Sequence, residues 1–253
     1  MRREKIFKLE SDLCAAFLSA LPPEWTAYPE SCGWDILLVR KKDGAQIGIE
    51  AKLKLNAAVL TQAIERSAWS ADSRGPDFRA VLVPSYEVTM RSVAAYIGIV
   101  VIGVRKMGMR SYFDPFLPGD AHAQDWPDQF PTQRHQLPEY VPDAVAGTPS
   151  PLTLTPWKIA AMRLCILLER RGYVVRTDFK HLHLDHRRWI AAGSGWLEPD
   201  NINKCWRRGF RCPDLKSQHP RNWEEIAADF ERWAPPEPLR PAVTADLLSS
   251  APC

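Results

Sequence analysis

The sequence has no stretch approaching the roughly 20 consecutive apolar residues that span a bilayer. Its first residues, MRREKIFKLESDL, are basic but lack the unbroken apolar run of a secretory signal behind them. The six cysteines (Cys14, Cys32, Cys165, Cys205, Cys212, Cys253) are scattered through 253 residues, without the density of a disulfide scaffold and without a CxxC pair. No internal repeat is visible. These absences exclude a transmembrane helix and a secreted disulfide framework, and they predict a reduced, cytoplasmic protein.

Net charge is small, +3, but unevenly spread. Residues 1–111 carry 16 Lys/Arg against 12 Asp/Glu, residues 112–152 carry 1 against 6, and residues 153–233 carry 15 against 10. Two basic segments flank an acidic one, a pattern that suits a polyanionic partner. Nine of the 22 prolines fall between Pro115 and Pro156, a composition that resists helix and sheet. We therefore expect a domain over 1–111, an acidic proline-rich linker over 112–152, a basic and mainly helical domain over 153–233, and a disordered tail over 234–253. Trp126, Phe130 and Tyr140 suggest that the linker is partly laid onto a domain surface.

The first segment reads helix, three strands, helix, strand, helix, strand. REKIFKLESDLCAAFLSAL has Ile6, Leu9, Leu13 and Phe17 at helical spacing and stops before Pro22-Pro23. WTAYPES is a short strand. WDILLVRK and AQIGIEAKL are strands joined at Asp43-Gly44, a two-residue hairpin signal. Asn56 caps the helix AAVLTQAIERSAWSA, and the strands FRAVLVP and VVIGVRK bracket a helix VTMRSVAAYIG. An antiparallel hairpin followed by strand–helix alternation predicts an α/β fold with a mixed sheet. In the basic segment, Thr155, Pro156 and Gly172 bound one helix. YVVRT reads as a short strand, DFKHLHLDHRRWIAAG as a second helix before a Gly193-Ser194-Gly195 turn, and NWEEIAADFERWA as a last helix capped by Asn222.

Three charges stand inside apolar strands: Asp35, Glu50 and Lys52. With a two-residue loop, Asp35 lies opposite Lys52 and Leu37 opposite Glu50, so all three share one face. A β-bulge would break that register. A lone buried carboxylate costs several kcal/mol, and two close together repel unless a cation lies between them. Hard divalent ions such as Mg²⁺ bind through one or two carboxylates plus water and substrate phosphate, and Lys52 would stabilise charge on an attacked phosphate.

Asp35 followed by Glu50-Ala51-Lys52, on a hairpin after one helix and before another helix and strand, resembles the PD-(D/E)XK nuclease superfamily over roughly residues 4–105. The resemblance implies a restriction-endonuclease-like αβββαβ core that hydrolyses nucleic-acid phosphodiesters with Mg²⁺, for which Mn²⁺ can substitute. It implies Asp35, Glu50 and the Ala51 carbonyl as metal ligands and Lys52 as the catalytic lysine. Glu10 would be a third carboxylate on the first helix, with Glu4 behind it and Glu30 a rival, and Gln62 would be a catalytic glutamine on the following helix. The proline of the motif is absent, Trp34 standing before Asp35.

In the basic domain, KCWRRGFR interleaves Lys204, Arg207, Arg208 and Arg211 with Trp206 and Phe210, a mixture suited to phosphate contact and base stacking. Arg187 and Arg188 add to it. The domain loosely resembles a helix-turn-helix or winged-helix module. His181, His183 and His186 with Cys205 and Cys212 lack zinc-site spacing and read as a basic face. The expected partner is nucleic acid, DNA before RNA, with a homodimer left open. A non-catalytic nucleic-acid-binding protein and a protein-interaction module are the alternatives to an enzyme.

Overall fold

The computed structural model describes residues 6–65, 74–86, 88–120, 126–148, 154–191, 193 and 195–237. It divides into two compact units, 1–154 and 155–253. Glu4, the end of the expected second helix (66–71), Asp125, Ser194 and the tail beyond 237 lie outside the described residues. Among the described residues no helix is long and apolar enough to cross a membrane.

The first unit runs α1 (Glu10–Leu18), β1 (Trp25–Ser31), β2 (Trp34–Arg40), β3 (Gln46–Ala51), α2 (Ala57–Glu65), β4 (Phe78–Val83), α3 (Val88–Tyr96), β5 (Val100–Met107) and β6 (Arg110–Asp114). The six strands form one mixed sheet in sequence order. β1, β2 and β3 are antiparallel neighbours, β3, β4 and β5 are parallel, and β6 is antiparallel to β5. Alternate residues fill two cores. Ile36, Leu38, Ile47, Ile49, Ala80 and Leu82 pack with Leu13 and Phe17 of α1. Leu37, Val39, Val81 and Val101 pack with Val59, Leu60 and Ala63 of α2 and Ala94 of α3.

α1 starts later than its apolar spacing predicts. Leu9 is extended, and its N–H donates to the Asp12 carboxylate at 3.3 Å. Ile6 and Leu9, expected on the buried stripe, are exposed, and Phe7 is buried instead. Asn56 caps α2 as expected, its Oδ1 accepting from Val59 N–H at 3.1 Å. The β1–β2 hairpin closes through Cys32 and Gly33, both with positive φ (54° and 88°), between the paired Ser31 and Trp34. Two left-handed residues are what a two-residue I′ turn requires.

The β2–β3 loop differs from the expected two residues. Arg40 N–H donates to Ala45 O and Gly44 N–H to Arg40 O, both at 2.8 Å, so the loop is Lys41–Gly44. Arg40 grips Asp43 through Nε (2.9 Å) and a second guanidinium nitrogen (2.7 Å), and Asp43 also accepts from Ala45 N–H. The Arg40 hydrogen bond and then the Ala45 N–H hold the Asp43 carboxyl down to about 2. The register becomes Ile36↔Ile49 and Leu37↔Gly48. The shorter loop would have set Asp35 across from Lys52; here the β2–β3 pairing stops at Ile36↔Ile49, and the Asp35 carboxylate accepts from Ala51 N–H. Strict alternation ends there too: Trp34 packs into the same core as Leu37 and Val39, so period two does not set the side that Asp35 takes.

Residues expected to form a linker are partly built into this unit. Tyr112 and Phe113 belong to β6, and Trp126 and Tyr140 are buried while Phe130 is exposed. Gln46 and His135 exchange hydrogen bonds of 2.9 and 3.0 Å, Trp34 Nε1 donates to His135 Nε2 at 3.3 Å, and Arg134 meets Asp77 at 2.9 Å.

The second unit runs α4 (Pro156–Arg171), α5 (Arg176–His181), α6 (Arg187–Ile190), β7 (Leu197–Asp200), β8 (Cys205–Arg208), α7 (Leu215–Gln218), α8 (Pro220–Ala228) and α9 (Phe230–Trp233). α4 has the expected ends: Thr155 Oγ1 accepts from Lys158 N–H at 3.2 Å, and Gly172 takes φ 77°. Thr155→Ala should lower the stability of this unit by about 1 kcal/mol in urea unfolding. The single helix expected over 178–193 is two. His183 at φ 53° breaks it, and Asp185 accepts from Arg187 N–H at 3.0 Å to begin α6. α8 begins at Pro220, not after Asn222, which is buried and donates to Glu225 at 3.2 Å. β7 and β8 form a hairpin, and Val174 bridges Trp206 beside it.

Candidate active site

Asp35, Glu50 and Lys52 meet where β2 begins and β3 ends. Glu50 has no exposed surface, in a strand buried at every position. Asp35 Oδ2 accepts from Ala51 N–H at 2.8 Å, which pins the carboxylate to the strand carrying Glu50. Lys52 leaves the sheet after its N–H donates to Leu82 O at 2.9 Å. Its ammonium lies 3.0 Å from Glu10 Oε2 and 3.7 Å from Asp35 Oδ2. Glu10 is the first residue of α1, so that helix delivers its carboxylate from beside the sheet.

Burial pulls the Lys52 pKa down. The Glu10 hydrogen bond and the charges of Asp35, Glu10 and Glu50 outweigh it, so the net direction is upward from 10.5. Lys52 is therefore a cation at neutral pH and acts as donor and counter-charge, not as a base. A folded-state pKa above 10.5 keeps this contribution intact below pH 10.5 and loses it only as pH climbs through the raised value.

Glu30 borders the same cluster. It adopts φ 47°, and its Oε1 accepts from Gly147 N–H at 2.9 Å. Gly147, at φ 73°, packs against Glu10: an added Cβ there would meet the Glu10 backbone at 3.0 Å. The buried Cys14 thiol is pushed up to about 12, first by burial and then by Asp35, Glu30 and Glu10. It stays protonated and is no nucleophile. Cys14 and Gly147 carry no motif that would mark them in the sequence. What joins them to the site is chain folding across more than a hundred residues.

Gln62 is half-buried on α2, in the helix that packs Val59, Leu60 and Ala63 on the sheet. Among the described residues no hydrogen bond joins it to Asp35, Glu50 or Lys52.

The donor set of Asp35, Glu50, Glu10 and the Ala51 carbonyl is all oxygen, the chemistry that Mg²⁺ and Mn²⁺ select. Its present arrangement is closed around Lys52, and among the described residues no three His, Cys, Asp or Glu side chains are gathered to hold a metal ion. The residues fit the group by donor type, with Asp35 pinned to the strand that carries Glu50. Loading would require the ammonium to swing off Asp35.

Asp35→Asn and Asp35→Ala separate charge from structure. Asn keeps an acceptor for Ala51 N–H, whereas Ala leaves that donor unsatisfied at a cost of about 1–3 kcal/mol. Chemical unfolding should find the Ala variant the less stable by that margin.

Of the basic residues in the second unit, Lys204 is exposed at the β7–β8 turn with φ 50°. Arg207 Nε is held by Asp200 at 3.0 Å, and Arg188 lies over the Trp196 ring at 4.5 Å. Arg211 donates to Gly193 O at 3.0 Å, while Arg208 is exposed and the Arg187 side chain is 87 % exposed, 3.9 Å from Asp185. Arg207 and Arg188 thus have structural partners, whereas Lys204, Arg187 and Arg208 are exposed. The zinc alternative gains nothing, because His181 Nε2 pairs with Trp233 O at 3.0 Å and Cys212 faces Cys165 at 3.9 Å.

No protein-family model, curated protein or solved structure matches the chain.

Proposed function

We propose that this protein is a metal-dependent nuclease of the PD-(D/E)XK type, acting on DNA before RNA. The observation that carries the reading is Asp35 pinned to Ala51 N–H next to the buried Glu50, with Lys52 held between Asp35 and Glu10. The αβββαβ order and the mixed sheet running in sequence order support it.

Asp35, Glu50 and the Ala51 carbonyl would hold Mg²⁺ or Mn²⁺, with Glu10 beside them. When bound, the cation neutralises phosphate charge and makes a bound water acidic. The Ala51 N–H keeps Asp35 aimed. Lys52, cationic, donates to a non-bridging phosphate oxygen and stabilises the charge that gathers there as the phosphorus becomes five-coordinate. Glu10 orients that ammonium. A new P–O bond forms to the water oxygen, the bond to the leaving sugar oxygen breaks, and the water proton ends on that oxygen. Gln62 is assigned no step.

In the second unit, the order α4, the Val174 bridge, α5, α6 and the β7–β8 hairpin supports a winged-helix-like module. Lys204, Arg187, Arg188, Arg207, Arg208 and Arg211 would supply its phosphate contacts. Replacing Lys204, Arg208 and Arg187 together with alanine should flatten the salt dependence of binding by nearly three units in log–log slope. Equilibrium binding from low to high salt measures it.

A second reading, a non-catalytic nucleic-acid-binding protein, is favoured by the closed Glu10–Lys52–Asp35 arrangement. Supercoiled, linear, branched and single-stranded substrates incubated with Mg²⁺, Mn²⁺ or chelator separate the two. The nuclease reading expects cleavage with metal and none with chelator, and binding without cleavage under every metal supports the second reading.

A further inference from the structure

Beyond Val104, β5 and β6 leave the packed sheet as a hairpin. Its sequence from Arg105 to Phe113, RKMGMRSYF, carries three cations and no acid. Pairing sets Arg105 across from Tyr112 and Met107 across from Arg110. Cross-strand partners, and residues two apart, share a face. Arg105, Met107, Arg110 and Tyr112 therefore form one surface, and all four are exposed, Met107 at 70 % and Tyr112 at 48 %. Among the described residues no carboxylate pairs with Arg105 or Arg110. Lys106 turns to the other face, 5.0 Å over the Phe7 ring.

The hairpin projects from the same end of the sheet as the candidate active site. Ala51 aligns with Leu82, and Leu82 with Ile102, across two parallel strand pairs. Two strand spacings and three further residues put the Arg105 backbone about 14 Å from Ala51, and Arg110 at about 22 Å. At about 3.4 Å per nucleotide along one strand, these are four to six nucleotides.

We propose that the β5–β6 hairpin is a nucleic-acid contact in which Arg105 and Arg110 bind backbone phosphates about four to six nucleotides to one side of the cut and Tyr112 stacks on a base. The proposal rests on the nuclease reading for what lies at the cut, but the contact itself needs only nucleic acid. Guanidinium groups interleaved with an aromatic ring are the chemistry of a strand that is both phosphate and base. β6 is also an open sheet edge, but two copies pairing there would bring like-charged arginines together.

The test is equilibrium binding of the full chain, in chelator, to a labelled duplex and to a single strand of equal length, across a salt series. Removing both guanidinium groups in Arg105→Ala/Arg110→Ala should lower the log–log slope by about 1.8, so the wild type loses about 12-fold more affinity than the variant between 50 and 200 mM salt. Arg105→Lys/Arg110→Lys should keep the wild-type slope, which controls for folding. Tyr112→Ala should weaken binding about tenfold with the slope unchanged. An alanine double variant with wild-type slope and affinity overturns the hairpin contact, and if the wild type still cleaves with Mg²⁺ the nuclease reading survives. A flattened slope in a protein that never cleaves supports the contact and overturns the nuclease reading. A wild type that binds neither nucleic acid overturns both. A wild-type dimer made monomeric by the double alanine change would assign the hairpin to a second copy and overturn the proposal.

Discussion

Glu50→Gln should lose about a thousandfold or more in cleavage rate with Mg²⁺ while melting no lower than the wild type in chelator. Both halves follow from where Glu50 lies. It has no exposed surface, and it precedes Ala51, whose N–H the Asp35 carboxylate accepts, with its charge felt by Lys52. Two ionised carboxylates gathered at one strand end repel, and each has lost much of its hydration. Lys52 and its neighbourhood offset part of that cost. Glutamine keeps the shape and removes the charge, which relieves the repulsion and removes the proposed cation ligand together. Calorimetric melting in chelator, alongside single-turnover cleavage in Mg²⁺, measures the two effects on one sample. A variant that unfolds several degrees earlier would mean that Glu50 is held as a structural charge, and one that cleaves at the wild-type rate would remove it from the site.

The second large effect concerns Gly48, two residues before Glu50. An added Cβ there would overlap the Trp34 indole, whose ring lies against the Gly48 backbone. Trp34 is itself buried, and its Nε1 donates to His135 Nε2, so the ring cannot retreat without breaking that bond. Gly48→Ala should destabilise the first unit by about 3 kcal/mol, at the upper end of the usual cost of overpacking. Trp34→Phe combined with Gly48→Ala should recover part of the loss, because the smaller ring leaves room for the methyl group. Urea unfolding of the two single variants and the double variant gives the coupling directly. Additive losses would show that the two positions do not touch. Trp34 immediately precedes Asp35, so the same measurement reports on the packing that aims the site.

The strand order was legible because each strand carries its own period-two or continuous apolar pattern, and Asn56, Thr155 and Gly172 mark helix ends with side chains or backbone freedom that only those positions use. The nearness of Asp35 and Lys52 was legible from the hairpin, but the strict alternation behind a shared face fails at Trp34, which packs with Leu37 and Val39. The register was not legible. It follows from the Arg40–Asp43 bridge, a side-chain pairing that lengthens the loop from two residues to four. β6 was hidden because RSYFD is short, half polar and next to a proline-rich stretch. The burial of Trp126 and Tyr140 has no periodicity to announce it. In the second unit the break at His183 depends on one left-handed residue that propensity does not single out. At the site, Glu10 was legible as a helix carboxylate, but its grip on Lys52 is a matter of how α1 packs, which sequence spacing does not encode.

Phosphodiester cleavage by the wild type and by Lys52→Met, followed side by side with Mg²⁺, Mn²⁺ and chelator on linear and branched DNA, tests the proposed chemistry most directly. The wild type should cut with either metal and not with chelator, and Lys52→Met should bind the same substrates and leave them intact. A wild type inert under every metal, or a Lys52→Met protein that cuts as fast as the wild type, would contradict it.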